Sequence, residues 1–254
     1  MILPFLLACS ILSPDDTGGS YVDEPEIAGP EGLWALVHPT TPAARGSGIY
    51  LVDTTLGSST GPLVLPAVLT SPHALFDDGD GLLVGGFVDD GTESPDVPDS
   101  VFRLDYDGTE VTSYTQPSTE GITAVDGTVY VAEPSALVHL LTPEWSPVTS
   151  IEVESVVQDV AIDGRTLYVL SNDDRDSIRA YDLDDPTAPP SFATEQATFN
   201  NMGYAMMFWD GHLVVADQDD GGNFLRHIDV STGESLGITR IALGGWITAI
   251  SVEE

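Results

Sequence analysis

The chain contains no lysine, and its 254 residues carry only 7 basic side chains, all arginine, against 41 aspartates and glutamates. The formal net charge is -34. Such a field repels the phosphate backbone and anionic lipid surfaces alike, which argues against nucleic-acid binding and against direct adhesion to a membrane. Cationic ligands, divalent metals and basic partner surfaces are compatible with it. The acids are spread over turns rather than massed in one run, so the same charge also serves as a solubilising surface in salty or extracellular surroundings. A single cysteine, Cys9, rules out an intrachain disulfide. No segment reaches the roughly 18 consecutive apolar residues of a membrane span. P-loops and dinucleotide fingerprints are lacking, and the five histidines are scattered. The chain therefore offers little for nucleophilic catalysis.

What remains is a sequence of short apolar runs from residue 32 onward, separated by Asp-Gly, Gly-Gly, Asn-Asp and Pro punctuation. No window carries a 3.6-residue amphipathic stripe of helical length, so the pattern predicts strands throughout. One unit recurs as GLLVG at 81–85, TVYVA at 128–132, TLYVL at 166–170 and HLVVA at 212–216, with LWALV at 33–37 as a weaker first copy. Three copies follow the pairs Asp126-Gly127, Asp163-Gly164 and Asp210-Gly211. Asp-Gly favours a type I′ hairpin, whose two central residues both need positive φ. Each such strand is therefore predicted to pair with the apolar run before it.

A second unit follows downstream in every copy: IYLVD at 49–53, VFRLD at 101–105, LVHLL at 137–141, IRAYD at 178–182 and LRHID at 225–229. Its last position recurs at intervals of 52, 36, 41 and 47 residues. A weaker fourth strand closes each unit. Four strands per unit at this period is the propeller pattern, since a β-solenoid has a shorter and stricter repeat. The ends set the blade count. The run at 33–37 has no inner strand before it, and WITAISV at 246–252 resembles GITAV at 121–125 yet has no partner after it. One orphan at each end predicts an all-β, five-bladed propeller over residues 32–254, closed by the C-terminal strand joining the N-terminal blade.

The N-terminus has a different character. The run Leu6-Leu7-Ala8-Cys9 resembles the lipobox of bacterial lipoproteins, in which the chain is cut before the cysteine and lipid is attached to its sulfur. That likeness implies a signal segment at 1–9, lipidation of Cys9, export to the cell envelope, and a membrane attachment through the lipid alone. No basic residue precedes the apolar run, and the run is short for such a signal. Residues 10–31 are rich in Pro, Gly and acids, with few large apolar groups, and read as a flexible tether.

The phrases DGTVYVAE, DGRTLYVLSNDD and IRAYDL resemble the repeats of bacterial YVTN- and NHL-type β-propellers over roughly residues 32–252. Propellers of that kind include lactonases, lyases, binding modules and surface lipoproteins. The resemblance places a site at the mouth of the central channel, on the loops entering each innermost strand. Here these carry His73, Glu120, Gln158, Asp159, Asn200, Asn201 and Trp246. Glu120, Asp159 and Asn201 are the metal-ligand candidates, for Ca²⁺ or a similar hard cation, and His73, Gln158 and Trp246 the ligand-binding candidates. Metal-dependent lactonase-like propellers use Glu, Asn and Asp in such a place, which makes a hydrolase with Glu120 or Asp159 as ligand or base one reading. A carbohydrate-binding propeller using an exposed Trp145 is another. The reading that composition and repeats favour is a monomeric, lipid-anchored propeller that binds a protein or glycan and needs no cofactor. The acidic clusters at 77–80, 172–176 and 217–220 suit Ca²⁺ in part, but Asx residues capping tight turns account for them without it.

Overall fold

The computed structural model describes residues 24–38, 47–88, 100–115, 119–171, 177–194, 205–219 and 221–252. They form five four-stranded antiparallel sheets. Blade 1 runs from its inner to its outer edge as β20 (Trp246–Val252), β1 (Leu33–His38), β2 (Gly48–Asp53) and β3 (Ser58–Leu63). Blade 2 follows as β4 (Leu69–Asp77), β5 (Leu82–Val88), β6 (Ser100–Leu104) and β7 (Glu110–Thr115). Blade 3 holds β8 (Gly121–Val125), β9 (Thr128–Ala132), β10 (Leu137–Leu141) and β11 (Pro147–Glu152). Blade 4 holds β12 (Val157–Asp163), β13 (Thr166–Ser171), β14 (Ser177–Asp182) and β15 (Phe192–Thr194). Blade 5 holds β16 (Ala205–Trp209), β17 (His212–Asp219), β18 (Gly222–Ile228) and β19 (Ser235–Arg240). The five inner strands β20, β4, β8, β12 and β16 pack side by side around one axis.

The second strand of each blade reads as an unbroken apolar run because both of its faces are buried. On β13, Leu167 and Val169 enter the layer shared with blade 3, while Tyr168 and Leu170 enter the layer shared with blade 5. On β9, Val129 and Val131 face blade 2, and Tyr130 and Ala132 face blade 4. Five apolar layers result, one between each pair of neighbouring blades. The aromatics lie in them as the strand runs imply: Tyr168 stacks on Phe208 at 6.0 Å between blades 4 and 5. The outer strands, facing water, are polar, as in the SSTGPL of β3 and the EVTSYT of β7.

Turn chemistry explains the recurring acids. Asp126 and Gly127 have φ of 49° and 75°, and Asp210 and Gly211 of 47° and 82°, as a type I′ hairpin requires. The third pair departs from this. Asp163 pairs with Thr166, so the two-residue turn is Gly164-Arg165, and only Gly164 has positive φ. The Asp that ends the second repeat unit caps the turn after the third strand. Asp53 accepts the amide of Leu56, Asp182 that of Asp184, and Asp229 that of Ser231, each through Oδ1. For Asp229, the hydrogen bonds from Ser231 hold the carboxyl below its usual range.

The ring closes in blade 1. β20 pairs with β1 from Leu33↔Val252 to His38↔Trp246, with one bulge between. The crossover from β19 is held by buried Asn223, whose Nδ2 donates to the carbonyls of Leu243 and Gly245 at 2.7 and 2.8 Å. Gly245 has φ 108°, and a Cβ there would lie 2.4 Å from the carbonyl oxygen of His38. Only glycine fits where the crossover meets β1.

A second seal lies outside. Residues 24–30, whose composition suggests tether, run along the outer edge of β19. Glu26 bridges Ile238 in parallel, Ile27 N donates to Ile238 O at 2.8 Å, and Ile238 N donates to Pro25 O at 2.9 Å. Thr54, beyond β2, donates to Pro30 O at 2.7 Å, so this arm spans the seam between blades 5 and 1. It also covers an otherwise open sheet edge.

Candidate functional site

The channel mouth is built by irregularities in the inner strands. In β4 the pairing skips His73, in β12 it skips Gln158, and in β20 it skips Thr248. Glu120, just before β8, donates its amide to Ala132 O at 2.9 Å, the residue that Gly121 also opposes. A bulge re-aims one side chain out of the pleat. Repeated at one level of successive blades, it turns four side chains onto the axis. His73, Glu120, Gln158 and Thr248 line a cavity of about 30 Å³. Gln158 Oε1 and Thr248 Oγ1 are buried there without a hydrogen-bond partner among the described residues.

His73 Nδ1 lies 3.8 Å from a Glu120 carboxylate oxygen, and its Nε2 lies 3.0 Å from Ser71 Oγ. Burial, helped by His38 stacked beside it at 5.9 Å, lowers its pKa to about 4, so the ring is neutral at physiological pH. His38 itself is fixed by its Nε2 2.6 Å from Pro72 O and its Nδ1 3.2 Å from Ser47 Oγ.

Asp159 stands one residue past the bulge and points elsewhere. Its Oδ1 accepts the amide of Val160 at 2.8 Å and its Oδ2 that of Met206 at 2.7 Å, which ties blade 4 to blade 5. Burial pushes its carboxyl well up from the usual range, the two amides pull it back in part, and nearby Glu120 adds to the rise. The equivalent inner-strand residues are Ala74, Gly121, Ala205 and Ala249. A Cβ on Gly121 would lie 2.4 Å from Asp159 Oδ1, so the small residue beside it is what lets the carboxyl fit.

The residues singled out from sequence thus divide. His73, Glu120 and Gln158 come together at the mouth, and Thr248 joins them. Asp159 is turned to backbone amides and does not line the cavity. Trp246 stands outside the lining at the start of β20, 51% exposed. Asn200, Asn201 and Cys9 lie outside the described residues. Among the described residues, no three His, Cys, Asp or Glu side chains converge as a metal cluster. Trp145, expected to be exposed, is 8% exposed and stacks on Tyr114 at 4.6 Å. The turn that carries it folds back onto blade 3, with Trp145 N donating to Thr142 O at 2.8 Å. It therefore presents no sugar-stacking face at the surface.

The acidic cluster at 172–176 lies outside the described residues, and the described acids of the other two serve the protein itself. Asp77 accepts Trp34 Nε1 at 3.0 Å, Tyr106 Oη at 2.8 Å and the amide of Gly79 at 2.9 Å, and its own amide donates to Ser251 Oγ at 2.9 Å. It joins blade 2 to the two inner strands of the closing blade, β1 and β20. Asp217 pairs with Arg226 at 3.1 Å, and Asp219 binds Arg240 through both oxygens, at 2.6 and 2.8 Å. His227 is fully buried, with Nδ1 2.7 Å from His212 Nε2 and Nε2 2.9 Å from Thr239 Oγ1. Thr239 passes the chain on to the arm by donating to Ile27 O at 2.8 Å.

No protein-family model matches the chain, and no curated protein does. Solved structures do. A protein of unknown function from Bacteroides caccae matches with a TM-score of 0.54 at 11% identity, over 88% of this chain and 100% of that one. A chain of the nidogen/laminin complex matches with a TM-score of 0.51 at 12% identity, over 81% of this chain and 76% of that one. At such identities the likeness carries the fold alone, and with the sheet order above it makes the chain a five-bladed β-propeller.

Proposed function

We propose that the chain is an exported, lipid-anchored propeller that acts as a monomeric binding module for a partner protein, not as a hydrolase. What supports the binding reading is the channel mouth. Its cavity of about 30 Å³ is the space of about one water molecule. A hydrolytic site must admit a substrate, and ligand pockets run to about 300–1,000 Å³. Of the two carboxyl groups that the sequence offers as ligand or base, Glu120 and Asp159, the latter is engaged by two backbone amides that fasten blades together. The channel then serves as the axis of a rigid scaffold, and recognition falls to the loop faces.

The test is the metal content of the purified propeller after dialysis against moderate salt, which screens loose binding to a surface this acidic. Far less than one divalent ion per chain is expected. About one ion per chain, lost in Glu120→Gln, would contradict the binding reading and put a metal centre at the mouth. The anchoring half is tested separately. Cys9→Ala should move the protein from the membrane fraction to the soluble one, because two or three acyl chains hold where one does not. Unchanged partition would remove the anchor.

A further inference from the structure

The arm at 24–30 closes over a buried histidine. His227 is fully buried on the face of β18 that Leu225 turns to the layer between blades 5 and 1. Trp209 covers its ring edge-on, with centroids 5.9 Å apart. The arm lies across the same place. Gly237 stands opposite His227 in β19, and a Cβ there would sit 2.5 Å from Pro25 O and 3.0 Å from Ile27 Cγ2. Thr239 joins ring and arm, with Oγ1 2.9 Å from His227 Nε2 and 2.8 Å from Ile27 O.

These contacts fix where the protons sit. The Ile27 carbonyl only accepts, so the Thr239 hydroxyl donates to it and offers His227 a lone pair. His227 therefore donates through Nε2–H and keeps a lone pair on Nδ1, to which His212 Nε2–H donates across 2.7 Å. The form of the ring that serves the arm is the neutral one. A proton on His212 Nδ1 finds the Asp210 carbonyl at 3.1 Å, so charging His212 leaves the chain to the arm intact. A second proton on His227 finds only the N–H of His212. The charged and titratable groups around the pair are engaged elsewhere or turned to solvent. On the arm, Glu24 is held by Arg226 and Ser235, and Glu26 is exposed. On the β16–β17 hairpin, the Asp210 side chain is exposed. Asp217 and Asp219 of β17 bind Arg226 and Arg240, and Arg226 lies on the other face of β18 beside Phe224. Asp229 caps its own turn, as does Asp53 of blade 1, whose Tyr50 packs into the shared layer. No carboxylate among the described residues is bonded or paired to either imidazole.

We infer that the arm is an acid-released strap, driven off blade 5 when His227 takes a second proton. A charged ring needs water, and the arm, held on β19 by one isolated bridge, is the least secured of its covers. Burial, and then the neighbouring His212, lower the pKa of His227 from 6.5 to about 4. The closed arm therefore holds its full advantage above about pH 6.5 and loses it as the pH falls toward about 4. Opening bares the outer edge of β19 and the seam between blades 5 and 1. It also returns residues 24–30 to the segment ahead of the propeller, about 24 Å of extended chain.

The experiment is amide hydrogen exchange of the full chain by NMR between about pH 7.5 and about pH 5, the range in which histidine charge changes. Each rate is divided by that of an unstructured peptide at the same pH. Ordinary carboxylates titrate lower, near about pH 4, so the pair of Glu24 with Arg226 stays charged throughout. The Ile27 amide donates to Ile238 O and the Ile238 amide to Pro25 O, so these two report the arm. The Ile241 amide, donating to Asn223 O at 3.0 Å, reports blade 5 itself. Protection of Ile27 and Ile238 should fall by about tenfold or more toward the acid end, with that of Ile241 retained. The ring resonances of His227 should titrate in step with that loss. In His227→Gln the amide replaces the Nε2–H donor but takes no proton, so the arm should stay protected at both ends of the range. Constant protection of the arm, an equal loss at Ile241, or a His227 ring that titrates while the arm stays protected overturns the inference. So does a folded His227→Gln chain that loses arm protection as the parent does. If that variant does not fold, exchange and ring titration of the parent decide alone. None of these outcomes bears on the metal or membrane-fraction tests, so the strap and the binding reading fail separately.

Discussion

Arg226→Ala is expected to lower the unfolding free energy by about 3–5 kcal/mol, as removal of one partner from a buried ion pair does. Against a total of about 5–15 kcal/mol that is a severe loss. The Arg226 side chain is 3% exposed and that of Asp217 is 0%. Without the guanidinium, Asp217 loses its paired cation while its charge stays sealed from water, although it still accepts the amide of Gln218 at 2.7 Å. Arg226 also lies 5.3 Å from the centre of the Phe224 ring and pairs with Glu24, which in turn accepts Ser235 Oγ at 2.5 Å. The same substitution therefore loosens the outer arm along β19. Arg165→Ala is the comparison. Its pair with Asp184 is 66% and 67% exposed, and exposed pairs contribute about 0–1 kcal/mol. Denaturant melts of the two variants should differ several-fold in effect. Equal and small losses would mean that the blade 5 network carries no stability.

The blade count and the strand order were legible because each rests on a strong signal. Asp-Gly pairs mark hairpins, and burial of both faces writes an apolar run, such as VYV in β9 and LYV in β13, into the second strand of each blade. The orphan run at 33–37 and the orphan at 246–252 complete one another in the structure, residue against residue. The mouth was legible only in part. His73, Glu120 and Gln158 stood out as polar residues leading into inner strands, but the device that aims them is a bulge, and a bulge has no composition of its own. Thr248 passed unnoticed because the WITAISV run reads as plain strand. A polar residue followed directly by a small one, as in His73-Ala74, Glu120-Gly121 and Thr248-Ala249, is the signal that would have found three of the four; Gln158 is followed by Asp159. Asp159 misled for a physical reason. A carboxylate in an inner strand looks like a ligand, whereas amide donors from its own and the neighbouring blade are what it satisfies. Residues 24–30 misled through composition, since an arm held mainly by backbone hydrogen bonds needs no apolar stripe. Trp145 misled because Ser146-Pro147 signals a surface turn and says nothing of the ring folding inward onto Tyr114.

The account depends above all on the ring being closed by its own last strand, and removal of Gly245–Glu254 tests that most directly. The segment carries Ile247, Ala249 and Ile250, buried in the layers on both sides of blade 1. It also carries Ser251 Oγ, which accepts the Asp77 amide at 2.9 Å. Its loss exposes the inner edge of β1 and uncovers apolar surface toward blades 2 and 5. At about 25 cal/mol per Å² of apolar area, and about 1.5–3 kcal/mol for each large buried side chain, the cost is several kcal/mol. The measurement is thermal unfolding of the truncated and the full chain, followed by circular dichroism. The account predicts that the truncated chain shows no cooperative transition near that of the full chain. A truncated chain that melts cooperatively within a degree or two of the full one would contradict it.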